Sequence, residues 1–170
     1  MLLELENLEK GGEFAQTFQP GELMLDEQEL KLIGPAEMRG RLRRKGDEVE
    51  LTGHLSANVE APCARCLQPV ALPIDADLAE RFVVAVSWRN EEQHELHEED
   101  LNLGIFNGES IELDDLVREE ILLAIPAQVL CREDCRGLCP TCGSDRNVNA
   151  CDCEARQVDS RWGALKDLQF

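Results

Sequence analysis

Aromatic residues and positive charge are scarce in this sequence. Its 170 residues include no tyrosine, two tryptophans and five phenylalanines, whereas proteins that bind single-stranded RNA on an open sheet stack its bases on aromatic side chains. We therefore do not expect an RNA-binding platform of that kind. Only 17 lysines and arginines stand against 35 acids, which gives a formal net charge of -18. Because such a field repels phosphate, any contact with RNA must be local.

The sequence also lacks a long apolar run. No window approaches the roughly 20 apolar residues of a transmembrane helix. The N-terminus, MLLELENLEKGG, carries acids where a signal peptide would be uninterrupted and apolar. We therefore expect a soluble, cytoplasmic protein without membrane contact. The length suits one domain with appended segments.

Motifs that would indicate an enzyme are missing as well. There is no glycine-rich phosphate loop, and His94 and His97 do not have the HExxH spacing. The HxE that begins at His97 follows the Cys63/Cys66 pair, which is the wrong order for a zinc deaminase. His54 lies in a predicted strand without a nucleophile beside it, which indicates a hydrogen-bonded structural histidine. We predict a protein with no catalytic residue and no small-molecule substrate. Thiol redox chemistry at Cys63/Cys66 is the alternative.

Alternating apolar residues predict several strands. Short apolar runs between glycines and prolines predict short strands within residues 1–35. Residues 37–59 predict a long hairpin with a tight turn at 45–47, because the apolar residues of its second half alternate with polar ones. Those apolar residues are Val49, Leu51, Leu55 and Val59.

Helical spacing predicts one main helix at 114–125, with two aspartates at its positive end and Pro126 as its stop. The acidic stretch 87–100 has no apolar face and predicts a solvated loop. We therefore expect an α+β fold with a mostly antiparallel sheet, forming a β-rich domain at 1–126. A cysteine-rich zinc-knuckle segment at 127–170, which ends in a short helix, is expected to pack on the same domain.

Eight cysteines occur in this sequence, and in a reducing cytoplasm paired cysteines indicate metal ligands more often than disulfides. Two thiolates that are two residues apart can bind one tetrahedral ion. CPTCG at 139–143 has this spacing, and a second loop supplies two more sulfurs. We predict a structural zinc site formed by Cys139, Cys142, Cys151 and Cys153. Iron and metal-free thiols are the alternatives, because rubredoxin-like knuckles also read CPxCG.

The four other cysteines are sufficient for a second site. Cys63 and Cys66 lie between two predicted strands, and Cys131 and Cys135 follow the predicted helix. If the fold brings the two pairs together, they form a second tetrahedral site that joins the C-terminal segment to the β-rich half; free thiols are the alternative. A site closed by four thiolates has no open position for an activated water, which favours a structural role.

The densest positive charge lies on the first strand of the predicted hairpin. Its basic residues alternate and therefore project from one face, and further arginines lie in the cysteine loops, where they could present cations to RNA. An edge strand protected by charge against aggregation is the alternative. The predicted RNA contacts are Arg39, Arg41, Arg43, Lys45, Arg65 and Arg136.

Four segments in a fixed order carry a resemblance to a known family: CARCL at 63–67, EEILLAIPAQVLC at 119–131, CREDCRGLCPTCG at 131–143 and DSRWGALKDL at 159–168. The chain resembles the YceD family of large ribosomal RNA subunit accumulation proteins. The resemblance implies a role in the accumulation or processing of bacterial 23S rRNA and in large-subunit biogenesis, and it supplies no catalytic residue.

Two kinds of partner follow from these observations. The resemblance implies 23S rRNA or its precursor, or a ribosomal or processing protein. The alternative is a protein-interaction module, in which the acidic stretch 87–100 mimics phosphate and binds a basic ribosomal protein or a nuclease.

Overall fold

A computed structural model describes residues 2–4, 11–25, 30–86 and 103–153. The predicted acidic loop at 87–100 and the predicted C-terminal helix lie outside these ranges. The elements are β1 (Leu2–Glu4), β2 (Gly12–Phe18), β3 (Lys31–Leu32), β4 (Ala36–Lys45), β5 (Glu48–Pro62), β6 (Pro69–Val84), β7 (Leu103–Phe106), β8 (Ser110–Glu112) and α1 (Leu113–Ala124).

A six-stranded sheet forms the body of the protein. Its strands follow the order β2-β4-β5-β6-β7, and β3 pairs with β5 beyond the end of β4. The β6–β7 pair is parallel and the other pairs are antiparallel. Strands β1 and β8 form a separate antiparallel pair. The prediction of a mostly antiparallel sheet with one main helix is confirmed for the described residues.

Strands β5 and β6 form one long hairpin that is paired from Glu48↔Val83 to Pro62↔Pro69. The four apolar residues predicted to share one side of β5 are all fully buried. The turn between β4 and β5 follows Lys45, inside the predicted range. At about 3.4 Å per residue, the 15 residues of β5 span about 50 Å. The hairpin therefore carries its tip, residues 63–68, far from the β4–β5 turn.

Helix α1 packs against β5 and β6 on one face of the sheet. Leu113, Leu116, Val117 and Ile121 are buried, whereas Ala124 is exposed. The helix ends when Ile125 adopts an extended backbone, because the residue before a proline disfavours helical ψ. No helix in the described ranges is long and apolar enough to cross a membrane.

A second, smaller group of buried residues lies at the hairpin tip, separate from the core between sheet and helix. It consists of Cys63, Cys66 and Cys135, with Val70, Leu130 and Leu138 packed against them. The C-terminal segment therefore meets the β-rich part through cysteines. The division into two segments at residue 126 remains a prediction.

Candidate metal centres

The eight cysteines form two clusters of four. We call Cys63, Cys66, Cys131 and Cys135 the hairpin cluster, and Cys139, Cys142, Cys151 and Cys153 the knuckle cluster. In each cluster the four sulfur atoms all lie within 4.8 Å of one another. The proximity predicted between the 63/66 pair and the 131/135 pair is therefore confirmed.

The sulfur spacing in the hairpin cluster matches a tetrahedral metal site. The Sγ atoms of Cys63 and Cys135 are 3.8 Å apart, and those of Cys66 and Cys131 are 3.6 Å apart. Four sulfurs at about 2.3 Å from a zinc ion would be about 3.8 Å from one another. A disulfide would require about 2.05 Å. The donor set and its spacing thus fit a divalent ion.

The CARCL turn brings Cys63 and Cys66 together. The N–H group of Leu67 donates a hydrogen bond to the Cys63 carbonyl at 2.9 Å, and the N–H group of Cys63 donates to the Gln68 carbonyl at 2.8 Å. Leu67 closes the turn with φ +62°, a left-handed conformation that costs an L-residue about 1–2 kcal/mol. The side chain of Leu67 is 64% exposed, so packing does not explain this choice of residue.

The CPTCG turn of the knuckle cluster has the same backbone. Gly143 has φ +73°, and its N–H group donates to the Cys139 carbonyl at 2.9 Å. Leu67 therefore occupies the position that Gly143 fills in the second turn. Sequence reasoning missed Leu67, because leucine carries no turn signal; aligning CARCL with CPTCG would have identified the position.

Backbone hydrogen bonds fasten the hairpin tip to the segment after α1. The Ala64 N–H group donates to the Val129 carbonyl at 2.8 Å, and the Leu138 N–H group donates to the Arg65 carbonyl at 3.0 Å. Gly137 has φ +68°, and a Cβ atom there would lie 2.8 Å from the Arg65 carbonyl oxygen. A glycine is therefore required where the two loops meet.

The side chain of Arg65, a predicted RNA contact, forms hydrogen bonds within the protein. Its Nη1 atom donates to the carbonyl oxygens of Glu133 at 3.2 Å and Cys135 at 2.9 Å. These bonds hold the second cysteine pair of the hairpin cluster against the first. Arg136, by contrast, is exposed.

Asn147 connects the two clusters. Its Nδ2 atom donates to the Cys135 sulfur at 3.4 Å and to Asp145 at 2.7 Å. Its Oδ1 atom accepts from the Arg136 N–H group and from the Arg132 guanidinium, each at 2.8 Å. The segment between Cys139 and Cys153, which we call the knuckle loop, thus hydrogen-bonds through Asn147 to a sulfur of the hairpin cluster. Sequence reasoning did not identify this role, which depends on tertiary contact.

Each cluster lowers the pKa of two of its thiols and raises the pKa of at least one other. Burial raises the pKa of Cys63, but backbone hydrogen bonds outweigh burial and lower the pKa to about 6. Backbone N–H groups, first that of Cys142, lower the pKa of Cys139 to about 6. Burial raises the pKa of Cys131 to about 12, and the hydrogen bond with Cys142 raises the pKa of Cys153 to about 12. A cation would therefore be needed for four thiolates to coexist.

The basic residues of β4 share one exposed face, as their alternation predicted. Acids lie beside each of them on that face, so much of the positive charge is already compensated. The pairs are Arg39 with Glu37 at 2.8 Å, Arg41 with Glu13 at 2.7 Å and, opposite in the β4–β5 register, Arg43 with Glu50 and Lys45 with Glu48. RNA binding by this face remains a prediction.

The predicted RNA contacts lie in two separate places. Arg39 is opposite His54 in β5, and residues 55–62 of β5 separate that position from the hairpin tip by about 30 Å at about 3.4 Å per residue. Arg65 and Arg136 lie at the tip. A single short RNA segment therefore cannot bind all six residues at one point.

His54 is hydrogen-bonded, as predicted for a structural histidine. Its Nδ1 atom lies 2.9 Å from Asp77, and its Nε2 atom lies 3.5 Å from Asp75. The hydrogen bond to Asp77 is the main cause that raises the pKa of His54 above its usual value. The ring is therefore held on the open face of the sheet by acids.

Comparisons with known proteins give the chain a family. The family model "Large ribosomal RNA subunit accumulation protein YceD" matches residues 51–169. "Uncharacterized protein YlbN" of Bacillus subtilis is 31% identical over 92% of this chain and 87% of its own length. "Uncharacterized protein Rv2926c" of Mycobacterium tuberculosis is 31% identical over 75% of this chain, which spans 59% of that relative.

A plant relative carries a functional name. The "Large ribosomal RNA subunit accumulation protein YCED homolog 1, chloroplastic" of Arabidopsis thaliana is 30% identical over 35% of this chain and 18% of its own length. No solved structure gives a significant match. The family name and this relative support a ribosome-related role. The chain belongs to the YceD family of large ribosomal RNA subunit accumulation proteins.

Proposed function

We propose that this protein is a non-enzymatic, zinc-binding accessory factor in the accumulation of 23S rRNA and the biogenesis of the large ribosomal subunit, acting in the cytoplasm. The observation that carries the proposal is the pair of four-cysteine clusters in a chain of this family. Each cluster supplies four thiolates, which is a complete ligand set for a structural Zn²⁺. Such an ion stabilises a fold and leaves no position for an activated water.

The hairpin cluster gives the metal a specific structural role. It draws ligands from the β5–β6 tip and from the segment after α1, so the ion would join two parts of the chain that are distant in sequence. The surrounding backbone N–H groups and Asn147 would orient the sulfurs and stabilise their charge. The protein thereby presents a rigid tip, on which Arg136 and Arg146 are exposed.

These two arginines are the best candidates for an RNA contact. The Arg146 N–H group donates to the carbonyl of Gly137, the residue after Arg136, so the two residues lie close together. In the described part of the chain neither guanidinium has an ion-pair partner. We therefore place local RNA binding at the tip, in preference to the compensated face of β4.

Depletion of the protein from its own host tests the function. We expect the ratio of 23S to 16S rRNA to fall and free large subunits to decrease relative to small subunits. Re-expression of the parent should restore both, whereas a Cys63→Ser/Cys66→Ser variant should not. A Val86→Ala variant, changed at an exposed site, is the control. Unchanged rRNA after depletion would contradict the proposal.

A protein-binding role is the second candidate, and one observation favours it. A groove beside α1 combines acidic and apolar residues, which suits a basic protein more than RNA.

A further inference from the structure

A groove of about 660 Å³ runs between α1 and the β6–β7 edge of the sheet. Strands β6 and β7 form one wall, and the side of α1 that carries Asp115, Glu119 and Leu123 forms the other. The side chains that define its chemistry are Glu80, Phe82, Leu116, Glu119, Glu120 and Leu123. Glu112 and Asp115 also line the groove, which therefore combines five carboxylates with apolar surface.

Asp115 pairs with Arg118 at 2.8 Å, whereas Glu80, Glu119 and Glu120 have no such partner in the described part of the chain. Burial raises the pKa of Glu80, and repulsion from Glu120 and Glu119 raises it further. Burial also raises the pKa of Glu120, with Glu119 as the second cause. Across the described ranges, no lysine or arginine forms an ion pair with any of the three. A cationic ligand would remove this repulsion.

A single metal ion does not fit the arrangement. The groups of possible metal ligands among the described residues are both composed of cysteines, so the carboxylates do not converge as a metal site requires. Cations distributed along a polypeptide, as lysines or arginines, match separated carboxylates better.

Apolar surface borders the acids. Leu123 on α1 is 79% exposed, and Phe82 of β6 lines the opposite wall. Phe82 packs edge to face on Phe106, with the ring centroids 6.5 Å apart. The exposed leucine and the phenylalanine on opposite walls can hold an apolar side chain of a partner.

Strand β7 adds backbone hydrogen-bonding capacity. It is the last strand of the sheet, paired with β6 on one side only, and no described strand follows it. The other edge can accept an extended peptide by strand addition. The groove thus offers backbone groups, apolar contacts and negative charge side by side.

We propose that the groove between α1 and β7 binds an extended basic segment of a protein partner, in which lysines or arginines alternate with apolar residues. The cations would face Glu80, Glu119 and Glu120, and the apolar residues would contact Leu123 and Phe82. RNA is not the occupant, because the same carboxylates repel phosphate. The inference gives the second candidate function a defined surface and a partner class.

Peptide binding to the purified, zinc-loaded full chain tests the proposal. The probe is a fluorescent peptide in which lysine alternates with valine and leucine, and its counterpart with glutamate in place of lysine is the peptide control. We expect the basic peptide alone to bind, and to bind more weakly at high salt. Glu119→Lys/Glu120→Lys should weaken binding by about tenfold or more.

Two further variants separate the groove from net charge and from misfolding. Glu50→Lys/Asp75→Lys makes the same change in charge away from the groove and should shift the affinity by less than about twofold. Leu123→Ala keeps the charge and should weaken binding about threefold or more through lost apolar contact. Circular dichroism checks that each variant is folded.

The proposal is overturned if the groove variant binds like the parent, or if both charge variants weaken binding equally. It is also overturned if a 23S rRNA fragment, and not the peptide, is the ligand lost in the groove variant. Since the assay uses purified components, its result is independent of the depletion experiment on rRNA.

Discussion

Leu67 occupies a backbone position that glycine fills in the equivalent CPTCG turn. Its φ of +62° is imposed by the turn that brings two cysteine sulfurs together. Residues held in such conformations persist where the surrounding structure determines them, and here the determining contacts are the two backbone hydrogen bonds within residues 63–68. The strain therefore reports how strongly the hairpin tip is fixed.

Two separate substitutions, at Leu67 and at Gly143, test this interpretation. Leu67→Gly should raise the free energy of unfolding by up to about 1 kcal/mol, because relief of the left-handed strain exceeds the added entropy of the unfolded chain. Gly143→Leu should lower it by about 1–2 kcal/mol. Urea denaturation at saturating zinc measures both. Val148→Ala, at an exposed site of the knuckle loop, should be neutral; a destabilised Leu67→Gly variant would show that the leucine side chain itself contributes.

The two clusters differ in exposure, and the difference follows from the elements that supply their cysteines. In the hairpin cluster the tip of β5–β6 and the segment after α1 cover each other, so Cys63, Cys66 and Cys135 are buried and Cys131 alone is exposed. In the knuckle cluster, loops supply all four residues, and Cys142 and Cys153 are exposed. The metals should therefore be accessible to solvent to different degrees.

Metal analysis tests both sites at once. We expect two zinc ions per chain, one for each cluster, and one ion after either Cys63→Ser/Cys66→Ser or Cys139→Ser/Cys142→Ser. With a chelator in excess, zinc should leave in two phases, and the fast phase should be absent in the Cys139→Ser/Cys142→Ser variant. Native mass spectrometry gives the count, and a colorimetric chelator gives the rates. Iron in place of zinc, or a parent chain with one ion, would contradict the assignment.

Elements with local sequence periods could be predicted, and contacts between distant elements could not. The β4–β5 hairpin followed from the alternation of Val49, Leu51, Leu55 and Val59, and α1 from its period and Pro126. The parallel β6–β7 pair and the β1–β8 pair depend on tertiary packing, which has no local signal. The same limit applies to the ion pair of Arg41, because Glu13 reaches it only through the register of β2.

The cysteine sites were predictable in part for a similar reason. Thiol spacing restricts which residues can share an ion, so the eight cysteines divided into two sets of four from sequence alone. The role of Asn147 could not be obtained in this way. Its amide reaches Cys135 only because the knuckle loop folds back on the preceding segment.

Charge is distributed unevenly over the whole molecule. Among the described residues, Glu80, Glu119 and Glu120 line the groove beside α1 without an ion-pair partner. Acids and bases alternate on the open sheet face, and exposed arginines lie at the cysteine-rich tip. A net charge of -18 therefore does not prevent a local contact with RNA, provided that the contact occurs at the tip.

Charge reversal at the two positive sites compares them directly. Arg136→Glu/Arg146→Glu should reduce salt-dependent binding of 23S rRNA fragments by about tenfold or more, whereas Arg41→Glu/Arg43→Glu should reduce it by about threefold or less, because the latter arginines lie beside acids. Filter binding at several salt concentrations measures both, and melting temperatures check folding. Stronger loss from the β4 variant would return the RNA site to the open sheet face.

The composition of the hairpin cluster also determines the order in which the protein can be completed during synthesis. Cys63 and Cys135 are 72 residues apart, and Cys66 and Cys131 are 65 apart. At about 5–20 residues per second, the thiols of Cys63 and Cys66 are synthesised roughly 3–14 s before those of Cys131 and Cys135. Closure of this cluster therefore follows synthesis of the tip by at least several seconds, and a nascent chain that stops before Cys131 leaves the tip with half of its ligands.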